Sequence, residues 1–257
     1  MGAKVVSSSY FSSLWALFTA TIKSVGWWFC LVVLLDLLFY LGVYGAGYAT
    51  FMHIQQEYSS LEIPDPTQII APEQAQMMLD KAKSFYYSTL GMLTLLALFV
   101  ILWWTLLKGF IWSTILKQPL SARLFGKLFL FNMVWLGSWL LLFALMGYVF
   151  NLVLAPYFML GLLVFFVMLT NTIYVFFISQ PEWISVKKGV LLCLKKFHLL
   201  IVPYVMLFAI YMLLSRPFSL VQHISVQTFL LAFTLGYIAL ARSYLIAITQ
   251  HLEKENL

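Results

Sequence analysis

The run Trp27-Trp28-Phe29-Cys30-Leu31-Val32-Val33-Leu34-Leu35-Asp36-Leu37-Leu38-Phe39-Tyr40, continuing to Thr50, holds one charged side chain, Asp36. An α-helix rises about 1.5 Å per residue, so about 20 mostly apolar residues cross the roughly 30 Å hydrocarbon layer of a bilayer. Residues 27–50 meet that length. Outward from them, the same test selects Ser88–Leu107, Leu128–Phe150, Tyr157–Ser179, His198–Leu214 and Ile224–Thr249. The fifth stretch is short and carries Pro203, which predicts a kink or displacement at its inner end. Composition agrees: of 257 residues, 63% are hydrophobic and 9% charged. A soluble domain averages about 25% charged, and a compact soluble fold of this size has too little interior for so much apolar surface. The predicted fold class is all-α: a polytopic integral membrane protein with six transmembrane helices.

Charge orients the spans. Lys4 and Lys23 precede the first. Lys108, Lys117, Arg123 and Lys127 are read as lying between the second and third, and Lys187, Lys188, Lys195 and Lys196 between the fourth and fifth. Lys254 follows the sixth. The other side receives Lys81, Lys83 and Arg216 with Glu57, Glu62, Asp65, Glu73 and Asp80. Lysine and arginine are retained on the cytoplasmic side, so both termini are expected there, in a multi-pass protein of the cell membrane. The net charge of +6 then reflects orientation and attraction to anionic inner-leaflet lipid, not nucleic acid. An uncleaved anchor is preferred to a cleavable signal peptide for the first span, because 26 residues precede the run and Asp36 interrupts it. Cys30 and Cys193 are too few for a disulfide framework.

The chain reads as one membrane domain, 1–257. Residues 1–26 form a cytoplasmic interfacial segment, 51–87 an extracytoplasmic loop with a helix, 108–127 and 180–197 basic cytoplasmic segments, and 250–257 a cytoplasmic tail. Interfacial amphipathic helices are expected on the cytoplasmic side. In the clearest, Val186, Val190, Cys193, Leu194 and Phe197 share one face, and Lys188, Lys195 and Lys196 the other. In the outer loop Pro64-Asp65-Pro66 breaks regular structure. Pro72 suits a first helical turn, and Ala75, Met78, Leu79, Ala82, Phe85 and Tyr86 recur at helical spacing, so this helix is expected to run on into the second span.

Two stretches carry a resemblance: Ser185-Val186-Lys187-Lys188-Gly189-Val190 through Lys195-Lys196-Phe197, and Ala239-Leu240-Ala241-Arg242-Ser243-Tyr244. In layout the chain resembles a loose group of six-span membrane families, mostly of unknown function, among them the membrane domain found with some glycerophosphodiester phosphodiesterases. The resemblance implies the architecture only. No phosphodiesterase domain is present, so that activity does not carry over.

Ionisable groups deep in a membrane are costly and point to function or to specific packing. Asp36 lies nine residues into the first span and Arg242 eight before Gln250, so both sit roughly 12–14 Å from the inner boundary. Asn171 lies at a comparable depth. These three form the candidate intramembrane polar pair or site. Small residues at Gly42, Gly45, Ala46 and Ala49, and at Ala232, Gly236, Ala239, Ser243 and Ala247, form strips suited to close helix approach. His53, His198, His223 and His251 show no metal-ligand spacing, and no nucleotide loop, nucleophile elbow, zinc-protease helix or haem-attachment pair is found.

No cofactor or metal is therefore expected, and no enzymatic activity. The expected role is a scaffold, assembly or accessory subunit of a membrane complex, with a membrane-protein partner or a homo-oligomer. The alternative is a transporter, permease or lipid-handling protein that uses the Asp36–Arg242 region.

Overall fold

The computed structural model describes residues 2–61, 72–149, 155–219 and 224–254. Within them the chain forms α1 (Gly2–Lys23), α2 (Trp27–Ser59), α3 (Pro72–Leu116), α4 (Ala122–Val149), α5 (Ala155–Ser179), α6 (Trp183–Lys195), α7 (Phe197–Ser219) and α8 (Ile224–Lys254), with no strand among the described residues. Six of these helices are long and apolar enough to cross a membrane: α2, α3, α4, α5, α7 and α8. The protein is a multi-pass helical membrane protein. The Pro64-Asp65-Pro66 break, His223 and the last three residues of the tail lie outside the described residues.

The second long helix starts at Pro72 and runs on into the second span, as its sequence predicts, but it ends nine residues later than the apolar stretch read to Leu107. α3 is continuous for 45 residues and α2 for 33, about 68 and 50 Å against roughly 30 Å of hydrocarbon. Outside the membrane length the two stay fastened: Ser88 Oγ donates to Glu57 Oε1 at 2.8 Å, and His53 Nε2 lies 3.2 Å from the same oxygen. At its other end α3 runs past Lys108 and stops after Leu116. There Lys117 turns left-handed (φ 53°), Gln118 N–H reaches back to Ser113 C=O at 2.9 Å, and Pro119 follows. This is a helix stop in which the reversed residue frees the last carbonyls to be capped. Lys108 is thus not in a connecting segment: it is a helical residue, 6% exposed.

α5 is the central helix. From Met168 to Ile178 every residue except Asn171 is buried, enclosed by α3, α4, α6, α7 and α8. The first span carries a strip of small residues suited to close helix approach. In α2, however, only Gly42 is closely met, by the indole of Trp103, while Gly45 has open space around it. The strip on α8 is used more fully, with Ala239 fully buried and Ser243 nearly so.

α6 doubles back along α5. Successive residues of α6 meet earlier residues of α5, Gly189 against Ile173 and then the Cys193 thiol against Thr172, and the first residue of α7 continues the trend, with the Phe197 ring against Phe165. Its buried face is Ser185, Gly189, Leu192 and Cys193, rotated from the apolar face read in the sequence, because glycine allows the closest backbone approach. Burial pushes the Cys193 thiol up to about 11, with the Thr172 hydroxyl opposing the rise. A thiol with a raised pKa is protonated at neutral pH and unreactive. Maleimide at pH 7.5 is therefore expected to leave Cys193 unlabelled in the folded protein and to label it after denaturation.

α7 passes through Pro203 without a break. Proline has no N–H, so the carbonyl four residues earlier, Leu199, loses its helical partner. Tyr10 of α1 supplies one: its hydroxyl donates to Leu199 C=O at 2.7 Å. An orphan carbonyl in an apolar setting is costly, and a neighbouring helix has satisfied it. The Tyr244 hydroxyl makes the complementary tie from α8, donating to Leu14 C=O at 3.1 Å. Tyr10→Phe is expected to lower the unfolding midpoint modestly and to loosen α1, read as faster proteolysis near the N-terminus.

Candidate functional site

The charged centre is built by α2, α3 and α8. Asp36 is fully buried, and its carboxylate accepts three hydrogen bonds. Arg242 approaches end on, Nη1 to Oδ2 at 3.0 Å and Nη2 to Oδ1 at 3.2 Å, the paired geometry that a planar guanidinium offers a carboxylate. Lys108 Nζ reaches Oδ1 at 2.5 Å. Its ammonium also sits over aromatic faces, 4.4 Å from the Phe39 centroid, 5.4 Å from Tyr40 and 5.7 Å from Trp104. Ring quadrupoles attract a cation, most strongly where water is excluded.

Asp36 and Arg242 are thus in contact, and Lys108 joins them, a residue that the sequence reading placed in a loop. Asn171 is not bonded to either. It donates to the Tyr204 hydroxyl at 3.0 Å, across from α5 to α7. What connects it to the charged centre is a cavity of about 450 Å³, whose wall includes Lys108, Arg242, Asn171, Tyr174, Tyr204 and Tyr237. That volume lies within the range of small-ligand sites.

One wall of the cavity is held by a buried polar chain linking α3, α4 and α5. Trp104 Nε1 donates to the Tyr174 hydroxyl at 2.8 Å, Tyr174 donates to Asn132 Oδ1 at 2.5 Å, and Asn132 Nδ2 donates to Thr105 Oγ1 at 2.9 Å. Thr105 closes the chain on Ile101 C=O of its own helix at 2.8 Å. Every member has a partner, so the chain fixes the helices rather than weakening them. Tyr174→Phe deletes the middle link and leaves a buried amide oxygen and an indole N–H unpaired, so a loss of about 1–2 kcal/mol is expected in unfolding measurements.

The rim is apolar. Val167 and Phe208 line the cavity and are also 38% and 65% exposed. Apolar side chains of α5 and α7 thus stand where the cavity meets the protein's surface. No group of histidine, cysteine and carboxylate side chains suited to a metal is found among the described residues.

No protein-family model, curated protein or solved structure matches this chain. The reading of the site rests on its own geometry.

Proposed function

We propose that this is a lipid-handling or transport protein that takes an amphiphilic molecule from the bilayer into the cavity between α5, α7 and α8. The observation that carries this reading is the pairing of exposed apolar residues at the cavity's edge, Val167 and Phe208, with charged Lys108 and Arg242 in its wall, a combination that fits a molecule with a chain and a polar head. A chain entering past Val167 and Phe208 stays in apolar surroundings while the head reaches Lys108 and Arg242. Sidedness follows from the basic residues that flank the helix ends. Lys23, Lys117, Arg123, Lys127 and Lys254 share the face of the α1–α2 and α3–α4 connections, and basic residues favour the cytoplasm, so both termini are assigned there.

The test is purification in mild detergent followed by identification of bound small molecules by mass spectrometry, for the native chain and for Ala241→Trp, which places an indole in the cavity wall. The reading expects a bound amphiphile in the native protein and its loss in a monodisperse variant. Equal occupancy in both overturns it.

A second reading, an assembly or accessory subunit, has its own support. α2 and α3 together extend well beyond the length a bilayer requires and present exposed Tyr86, Tyr87 and Met77. A stoichiometric protein partner retained through purification supports that reading.

A further inference from the structure

The cavity wall holds two cations and, through its contact with both, one carboxylate. Among the described residues no other acidic side chain lines it. One positive charge is therefore left over inside the membrane. A buried unbalanced charge is costly, and an anion of equal charge removes that cost.

The hydrogen-bond inventory narrows the occupant. Thr234 gives its proton to Leu230 C=O at 2.7 Å, so in its 3.1 Å contact with Tyr211 the tyrosine is the donor. Tyr237 donates to Leu207 C=O, Trp104 to Tyr174, and Tyr174 to Asn132. These donors are committed to the protein. Lys108 has three N–H hydrogens and Arg242 five, of which Asp36 takes one and two. Tyr204 accepts from Asn171, which leaves its own proton to donate. Uncommitted hydrogens remain on Lys108, Arg242 and Tyr204, on three different helices around one cavity, beside the neutral donors of Tyr40, Trp112, Thr170 and Asn171.

We infer that the occupant is a singly charged oxyanion carried on an apolar chain, held by Lys108, Arg242 and Tyr204, with Asp36 setting the accepted charge at one. This rests on the reading that the cavity takes a bilayer amphiphile, and it names that molecule's charge class. A zwitterionic head is disfavoured because its ammonium meets a positive wall with no carboxylate to spare. The two sources of such an oxyanion are a phosphodiester lipid head and a fatty-acid carboxylate.

The experiment is a titration of the purified full chain in detergent, read by native mass spectrometry. The probes are phosphatidylglycerol, palmitate, phosphatidic acid and phosphatidylcholine. Phosphatidylglycerol or palmitate is expected to bind about tenfold more tightly than phosphatidylcholine, the gain of one charge-assisted contact. The tighter of the two identifies phosphate or carboxylate as the head. Lys108→Met removes the surplus charge but keeps the Asp36–Arg242 pair, and is expected to bring that ratio below about twofold. Tyr204→Phe is expected to weaken the preferred anion about fivefold, with phosphatidylcholine binding less affected, and to lower the unfolding midpoint modestly because the Asn171 amide loses its acceptor. Asp36→Asn, where it folds, shifts preference towards phosphatidic acid, which carries more negative charge. Phosphatidylcholine binding as tightly as phosphatidylglycerol and palmitate, or an anion preference that survives Lys108→Met, overturns the charge assignment. If Ala241→Trp still abolishes binding, the proposed function stands without it. If no probe binds, both fall.

Discussion

Asp36→Ala is expected to be the most damaging single substitution in this chain, reducing stability by about 3–5 kcal/mol, the usual cost of stripping a buried charge of its partner. The direction follows from how the three charges are shared. Among the described residues Asp36 is the only anion touching Lys108 and Arg242, and all three are buried. Without it two buried cations face one another, and their repulsion adds to the loss of three hydrogen bonds. Removing either cation is expected to do less. Lys108→Met leaves a balanced pair with two-point geometry, and Arg242→Met leaves Lys108 on the carboxylate. The ordering, with Asp36→Ala well below both cation variants in thermal midpoint and in monodisperse yield, is the result that checks the geometry. Equal effects of all three substitutions would contradict it.

A charge swap sharpens the same point. With only two residues involved, Asp36→Arg combined with Arg242→Asp is expected to restore a pair. With Lys108 bonded to the carboxylate at position 36, the swap places arginine beside that lysine. Recovery in the double variant is therefore expected to be partial, and adding Lys108→Met should extend it. Such non-additivity is the signature of residues that share partners.

Much of this was readable before the structure, and the exceptions have definite causes. The number of membrane-crossing helices follows from apolar run length, which the bilayer imposes on each segment separately. The shared depth of Asp36 and Arg242 follows from helix rise. Lys108 was misplaced because the second apolar stretch was ended at its first charge. Yet Gly109-Phe110-Ile111-Trp112 and the residues to Leu116 continue the apolar pattern beyond it. Lys108 lies eight residues before the end of α3, the offset that Arg242 has from Gln250. Applying one rule to all three ions would have found the third.

Other features are not local. The place of α5 at the centre depends on which helices surround it, and its own hydropathy resembles that of its neighbours. The kink expected at Pro203 did not break α7, because the freed Leu199 carbonyl finds Tyr10, a partner 189 positions away in sequence. The Tyr174–Asn132 bond joins residues on separate spans whose polar atoms looked unrelated in the sequence. For α6, an amphipathic pattern alone cannot tell lipid from protein as the apolar neighbour. The deciding residue was Gly189.

Gly189 also gives the second large expected effect. A Cβ built there would lie 2.8 Å from Ile173 Cα and 3.2 Å from Ile173 N, both backbone atoms that have no rotamer through which to yield. Gly189→Ala is expected to cost about 1–3 kcal/mol by overpacking, although alanine is intrinsically the better helix former by roughly 1 kcal/mol. Gly126→Ala is the matched control. Gly126 lies within α4 with nothing within 4 Å of a built Cβ, so the same substitution there is expected to be neutral or to stabilise by about 0.5–1 kcal/mol. Opposite signs for the two, in unfolding measured under one detergent condition, would show that α6 is clamped to α5 and not laid loosely on the membrane surface. The consequence reaches the cavity, because the stretch of α5 that must shift also carries Asn171 and Tyr174, on its other faces, into the cavity wall. Gly189→Ala should therefore weaken binding of the cavity's occupant as well, whereas Gly126→Ala should leave it unchanged. A Gly189→Ala protein as stable as the native one would show that the close approach at Ile173 relaxes freely.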